Sequence, residues 1–126
     1  MPIEFTNGKP IYQQIAIQIE NAIFTGVYQE EEQIPSTTEY SQKLHINPAT
    51  VLKGMNMLVN KGLLQKKRGL GMFVKQGARE QIVLERRAAF YQDYLVPLLK
   101  EAEYLELTQA DLIAMLQQEE REQDDV

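Results

Sequence analysis

Asn47, Pro48, Ala49, Thr50, Leu52 and Lys53 set amide, methyl, hydroxyl and cationic groups on the opening turns of one short segment. Duplex bases are read with such groups. A threonine hydroxyl bonds a base edge or a phosphate, and a threonine or alanine methyl meets a thymine methyl. Lys53 suits a phosphate or a guanine. Thr50 has an alternative use in local backbone bonding within a first helical turn. Further along, Lys66, Lys67 and Arg68 flank a Gly69-Leu70-Gly71 tip. Glycine lets backbone approach a groove closely, and Arg68 beside it fits a narrow minor groove, where negative potential is strongest. Between Tyr40 and Ala78 no acidic residue occurs, whereas Lys43, Lys53, Lys61, Lys66, Lys67, Arg68 and Lys75 do. An acidic chain that gathers these cations without carboxylates marks a surface for a polyanion, and double-stranded DNA is the best fit.

The surrounding pattern supplies elements to hold these groups. Ile11, Ile15, Ile19 and Ile23 recur every four residues, as on one face of a helix that opens near Pro10 and stops at Gly26. Residues 1–9 read as an extended arm and residues 26–35 as a loop. Ser36 and Glu39 form a capping box for a short helix over Thr37–Leu44. Thr37 and Thr38 lie in its first turn, where hydroxyls can donate to phosphate. His45 and Ile46 make a turn. Asn47 is a strong N-cap, Pro48 suits the first helical position, and the next helix runs to about Lys61. Val51, Met55, Leu58 and Val59 give it an inner face. Two short strands, Leu63–Lys67 and Met72–Lys75, pair through the glycine tip. A helix-turn-helix followed by a basic hairpin is a DNA-reading arrangement, with the second helix in the major groove and the hairpin as a wing.

From Ala78 the pattern is helical again. Pro97 interrupts an apolar stripe and should kink it. Thr108 and Asp111 resemble a second capping box, and the tail EEREQDDV reads as frayed. Residues 1–77 carry eight Lys/Arg against six Asp/Glu, and residues 78–126 carry five against twelve, so the net charges are +2 and −7. The acidic half should sit away from phosphates. Its apolar residues, Tyr91, Leu95, Leu98, Leu99, Leu105, Leu112 and Leu116 among them, exceed what two helices can bury alone. A second copy of the chain would cover them, giving a homodimer matched to an inverted repeat. Tyr91, Tyr94, Pro97 and Tyr104 could instead line a small-ligand site, although a packed dimer core accounts for them more simply. The expected fold class is therefore mainly α with a small β-hairpin. A winged helix-turn-helix domain occupies residues 1–77 and a helical dimerisation region residues 78–126.

Other functions find little footing. The chain has 126 residues, one histidine and no cysteine, with no catalytic triad, metal-ligand spacing or phosphate loop. Glu30, Glu31 and Glu32 are consecutive and do not converge on one ion. The expected state is a non-enzymatic protein without cofactor or metal. No signal peptide or membrane span is visible, so a cytoplasmic location is expected. The alternative is a winged helix used for protein contacts, which the unbroken positive charge disfavours.

Pro10-Ile11-Tyr12-Gln13-Gln14-Ile15, Gly26, Ile34-Pro35-Ser36, Leu44, Asn47-Pro48-Ala49-Thr50-Val51, Lys61-Gly62-Leu63 and Arg68-Gly69-Leu70-Gly71-Met72-Phe73-Val74 together resemble the GntR family of bacterial winged-helix transcription regulators. The match spans about half the chain in order. The short C-terminal part is similar to the YtrA subfamily, which carries a two-helix dimerisation extension. The resemblance implies transcriptional regulation, with repression the expected sign. Many members carry Arg where Thr38, Pro48 and Leu52 stand here, so those base-reading arginines do not transfer. Ser36 as cap, Thr50, Lys53, Arg68, Gly69 and Gly71 do. The resemblance therefore implies modest monomer affinity, reliance on dimer avidity and a sizeable wing contribution.

Overall fold

The computed structural model describes residues 8–125; most of the expected N-terminal arm lies outside them. Helix α1 spans Ile11–Phe24, α2 Thr37–Leu44 and α3 Pro48–Asn60; strands β1 (Leu64–Lys67) and β2 (Gly71–Val74) follow. Next come α4 (Ala78–Phe90), a π-helical turn at Tyr91–Leu95, α5 (Val96–Tyr104) and α6 (Gln109–Asp124). One compact unit runs through Glu85 and a second begins at Arg86.

The first unit closes around one apolar cluster. Ile15, Ile19 and Ile23 of α1 are fully buried, while Ile11 at the helix start is largely exposed. They meet Val51, Met55 and Leu58 of α3 with Leu63, Leu64, Met72 and Val74 of the hairpin. Each such aliphatic side chain contributes roughly 1.5–3 kcal/mol on burial. Gly54 sets the spacing of α1 and α3: a Cβ there would stand 2.7 Å from the Tyr12 carbonyl oxygen and 3.2 Å from the Ile15 side chain. Ala78 and Ile82 of α4 are buried in the same cluster. This is why the first unit reaches Glu85 instead of ending at residue 77.

The hairpin is antiparallel with Leu64 opposite Val74 and Lys67 opposite Gly71. Residues 31–34 lie along β2, a pairing not foreseen when 26–35 was read as a loop. The Glu31 N–H donates to Val74 O at 2.7 Å, the Val74 N–H to Glu32 O at 2.9 Å, and the Ile34 N–H to Met72 O at 3.0 Å. Backbone groups of β2 that would otherwise need water are thereby satisfied.

In the second unit the expected Pro97 break takes a specific form. Proline has no N–H for the carbonyl four residues back and its ring collides with that carbonyl. The chain widens just before it, and the Val96 N–H bonds to Tyr91 O, five residues back. Beyond Leu105 the Thr108–Asp111 capping box closes: the Asp111 N–H donates to Thr108 Oγ1 at 3.1 Å, and the Thr108 N–H donates to Asp111 Oδ2 at 2.8 Å. The Thr108 N–H, and after it the Thr108 side chain, hold the Asp111 carboxyl below its ordinary value of 3.8. A depressed carboxyl stabilises above its unfolded pKa, and that contribution is lost as pH falls through the folded value. We expect the start of α6 to loosen on acidification below about pH 4, and Asp111→Asn, which keeps an acceptor for the Thr108 N–H but does not titrate, to remove the response. Amide exchange at Asp111 across that range is the check.

The tail expected to fray is helical through Asp124. Gln118 Nε2 donates to Glu122 Oε1 at 3.1 Å one turn on, and Arg121 in the last turn complements the helix dipole.

Candidate nucleic-acid interface

The start of α2 is built by Ser36. Its Oγ accepts from the Glu39 N–H at 3.1 Å, and the Ser36 N–H donates to Glu39 Oε1 at 3.3 Å. Thr38 is exposed on the first turn, whereas Thr37 is half-buried. The Thr37 hydroxyl faces inward, 3.6 Å from the Met55 sulfur of α3. It ties α2 to α3, so Thr38 is the better placed of the two threonines to face a ligand. Tyr40 on the next turn is buried and its hydroxyl meets that of Tyr28. Burial, then the Tyr28 bond, pushes the Tyr40 hydroxyl far above its ordinary range, so it stays protonated.

The turn into α3 is fixed by local bonds. His45 sits in the left-handed region at φ 55°, and Ser41 Oγ donates to Ile46 O at 2.6 Å. Asn47 then caps α3, its Oδ1 accepting from the Ala49 N–H at 2.8 Å. Val51, Gly54, Met55 and Leu58 point inward, which leaves Ala49, Leu52, Lys53, Asn56 and Asn60 on the outer stripe. Thr50 is half-buried on its flank. Lys53 does not project freely: its Nζ stands 4.0 Å from the centre of the Tyr12 ring. Asn56 and Asn60 were missed in the sequence. They follow Ala49 by seven and eleven residues, and continuing its helical period would have found them.

At the wing tip, Leu70 N–H donates to Lys67 O at 2.9 Å and Gly69 takes φ 78°, the conformation a side chain resists at this turn position. Gln33 braces the turn from below. Its Nε2 donates to Leu70 O, and a Cβ on Gly71 would meet that nitrogen at 2.8 Å. Lys66 and Arg68 are exposed, and Lys67 Nζ lies 4.3 Å from the centre of the Phe73 ring. The structure thus leaves Arg68 exposed at the tip, with Lys67 over the Phe73 ring of β2.

Not every cation of the acid-free stretch serves a polyanion. Lys61 Nζ pairs with Glu20 at 2.8 Å and Glu85 at 3.5 Å, and the Glu20 bond raises its ammonium above the ordinary value. Both acids lie outside the stretch in sequence, so only the fold reveals the pairing. The Glu30–Glu32 run is divided among backbone donors. Glu30 Oε1 accepts from the Gly77 N–H at 3.0 Å and Glu32 Oε2 from the Gln29 N–H at 2.9 Å.

A short helix capped into a second helix, with a braced basic hairpin behind it, is the arrangement of a DNA-reading winged helix. The family model for bacterial regulatory proteins of the gntR family matches residues 11–74. The chain belongs to the GntR family. Over 84 residues it is 37% identical to the HTH-type transcriptional repressor NagR of Bacillus subtilis, covering 67% of this chain but only 34% of that relative. With the repressor YtrA of the same organism it shares 28% over 102 residues, 81% of this chain and 78% of YtrA. The crystal structure of a GntR-family regulator from Bacteroides thetaiotaomicron superposes with TM-score 0.73 at 30% identity, covering 90% of this chain and 99% of that one. AraR(DBD), solved in complex with an operator, is similar at TM-score 0.55 and 28% identity over 59% of this chain and 95% of its own. This GntR member is a transcriptional regulator with a DNA-binding domain, and its relatives are regulators, not enzymes. Among the described residues no helix is long and apolar enough to cross a membrane.

Proposed function

We propose that the protein is a repressor that binds an inverted-repeat operator as a homodimer, with α3 in the major groove and the wing in the minor groove. The observation that carries this reading is the outer stripe of α3, open from its Asn47-capped start to Asn60, followed in the chain by a hairpin tip at which Arg68 is exposed. Ser36 and Asn47 cap the helix starts, whose N–H groups favour phosphate, and Thr38 stands exposed on the first turn of α2. Ala49, Thr50 and Lys53 meet the duplex from α3. Lys67, Arg68, Gly69 and Gly71 form the wing contact. Repression is supported by relatives named as repressors, and operator binding by the AraR(DBD) complex. A regulator of this kind works beside the chromosome, which supports a cytoplasmic location.

The homodimer rests on the second unit. Phe90, Tyr91, Tyr94, Leu98, Leu99, Tyr104, Leu105 and Leu116 each leave about half or more of their surface exposed. A monomeric protein seldom tolerates so much exposed apolar surface.

Replacing Lys67 and Arg68 with alanine should weaken operator binding and flatten its salt dependence. Each lost phosphate contact lowers the slope of log affinity against log salt by about 0.9. Anisotropy titrations at several salt concentrations measure it. An unchanged slope would remove the wing from the interface.

A further inference from the structure

The outer stripe of α3 carries no guanidinium. Bidentate recognition of guanine needs an arginine or a lysine aimed at the base edge. The lysine on this stripe, Lys53, is laid over the Tyr12 ring at 4.0 Å, on the α1 side of the helix. Beside it Ala49, Leu52 at 37% exposure and Asn56 face solvent on successive turns. Tyr12, Ala49, Leu52, Lys53, Asn56 and Asn60 border one shallow depression along the helix. A single exposed leucine needs no explanation. Here it lies one turn from both Ala49 and Asn56, on the face that must meet base edges.

We infer that α3 reads its half-site through thymine methyl groups, with Ala49 and Leu52 closing on the 5-methyls and Asn56 bonding an adjacent adenine. The inference rests on the DNA-binding reading above and specifies its target. Apolar side chains recognise a base only where it offers an apolar group, and in the major groove that is the thymine methyl. An asparagine amide matches the donor and acceptor of adenine at N6 and N7. Together they select A·T pairs where Ala49, Leu52 and Asn56 meet the half-site.

The test uses the full chain and a duplex it selects from a random pool. Thymidines facing α3 are replaced by deoxyuridine, which keeps every hydrogen bond and removes only the methyl. Affinity should fall about fourfold per methyl lost. Leu52→Ala should bind thymidine and deoxyuridine duplexes nearly alike, which separates direct contact from a change in duplex stiffness. Asn56→Ala should cost about tenfold on the native duplex. Equal wild-type affinity for the two duplexes, with discrimination against a scrambled duplex intact, would overturn the inference and leave the DNA-binding reading standing. Failure to discriminate any duplex from a scrambled one would overturn both.

Discussion

Leu98→Glu together with Leu99→Glu yields a monomer at micromolar concentration and lowers operator affinity by roughly 100-fold or more. Both side chains are about half exposed in the isolated chain, so neither glutamate disturbs a buried position of the monomer. In a dimer they would lie in the apolar seam, where an unpaired carboxylate is costly. The loss in DNA binding has a different origin. A dimer binds its second half-site as an intramolecular event, and avidity of this kind exceeds single-site affinity by 10²–10⁴-fold. Sedimentation and an anisotropy titration read the two effects, and an unchanged far-UV spectrum shows that the helices survive. A variant that still sediments as a dimer would place the interface elsewhere.

Gly54→Ala destabilises the fold by about 1–3 kcal/mol, although alanine is the better helix former. In an exposed helix the exchange would stabilise by about 1 kcal/mol. Here the new methyl would stand 2.7 Å from a backbone oxygen of α1, and neither helix can yield without disturbing Ile15, which is fully buried. Overpacking of this kind outweighs the gain in propensity. The midpoint of thermal unfolding should drop by about 5–15 °C. A rise in the midpoint would show that α1 and α3 separate at little cost. The shift in α3 should also weaken operator binding, since the recognition stripe rides on the same helix.

Elements defined by local chemistry were legible in the sequence. Ser36 with Glu39, Asn47 with Pro48, and Thr108 with Asp111 each fix a helix start within four residues, and all three caps are present. The hairpin followed from a glycine tip between two short strands; β1 begins one residue later than expected and β2 lies one residue earlier. Pairings across the chain were not legible. Residues 31–34 complete β2 because the fold brings an unpaired strand edge beside them, and no local signal in GVYQEEEQIP announces it. Thr37 looked like a phosphate donor until α3 placed Met55 against it. Lys61 looked like part of the basic surface until α1 and α4 supplied Glu20 and Glu85. The same limit applied to Lys53, whose ring partner comes from α1. Residue types therefore marked a candidate interface as a region, while the tertiary partners decide which of its polar groups stay exposed.

Sequence-specific operator binding can be read in a single titration. A labelled duplex from upstream of the protein's own gene is compared with a scrambled duplex of the same composition at two salt concentrations. Binding to the upstream duplex should be tight and selective and should weaken steeply as salt rises, because phosphate contacts release counterions. Absence of binding to either duplex at low salt would contradict it and assign the winged helix to protein contacts.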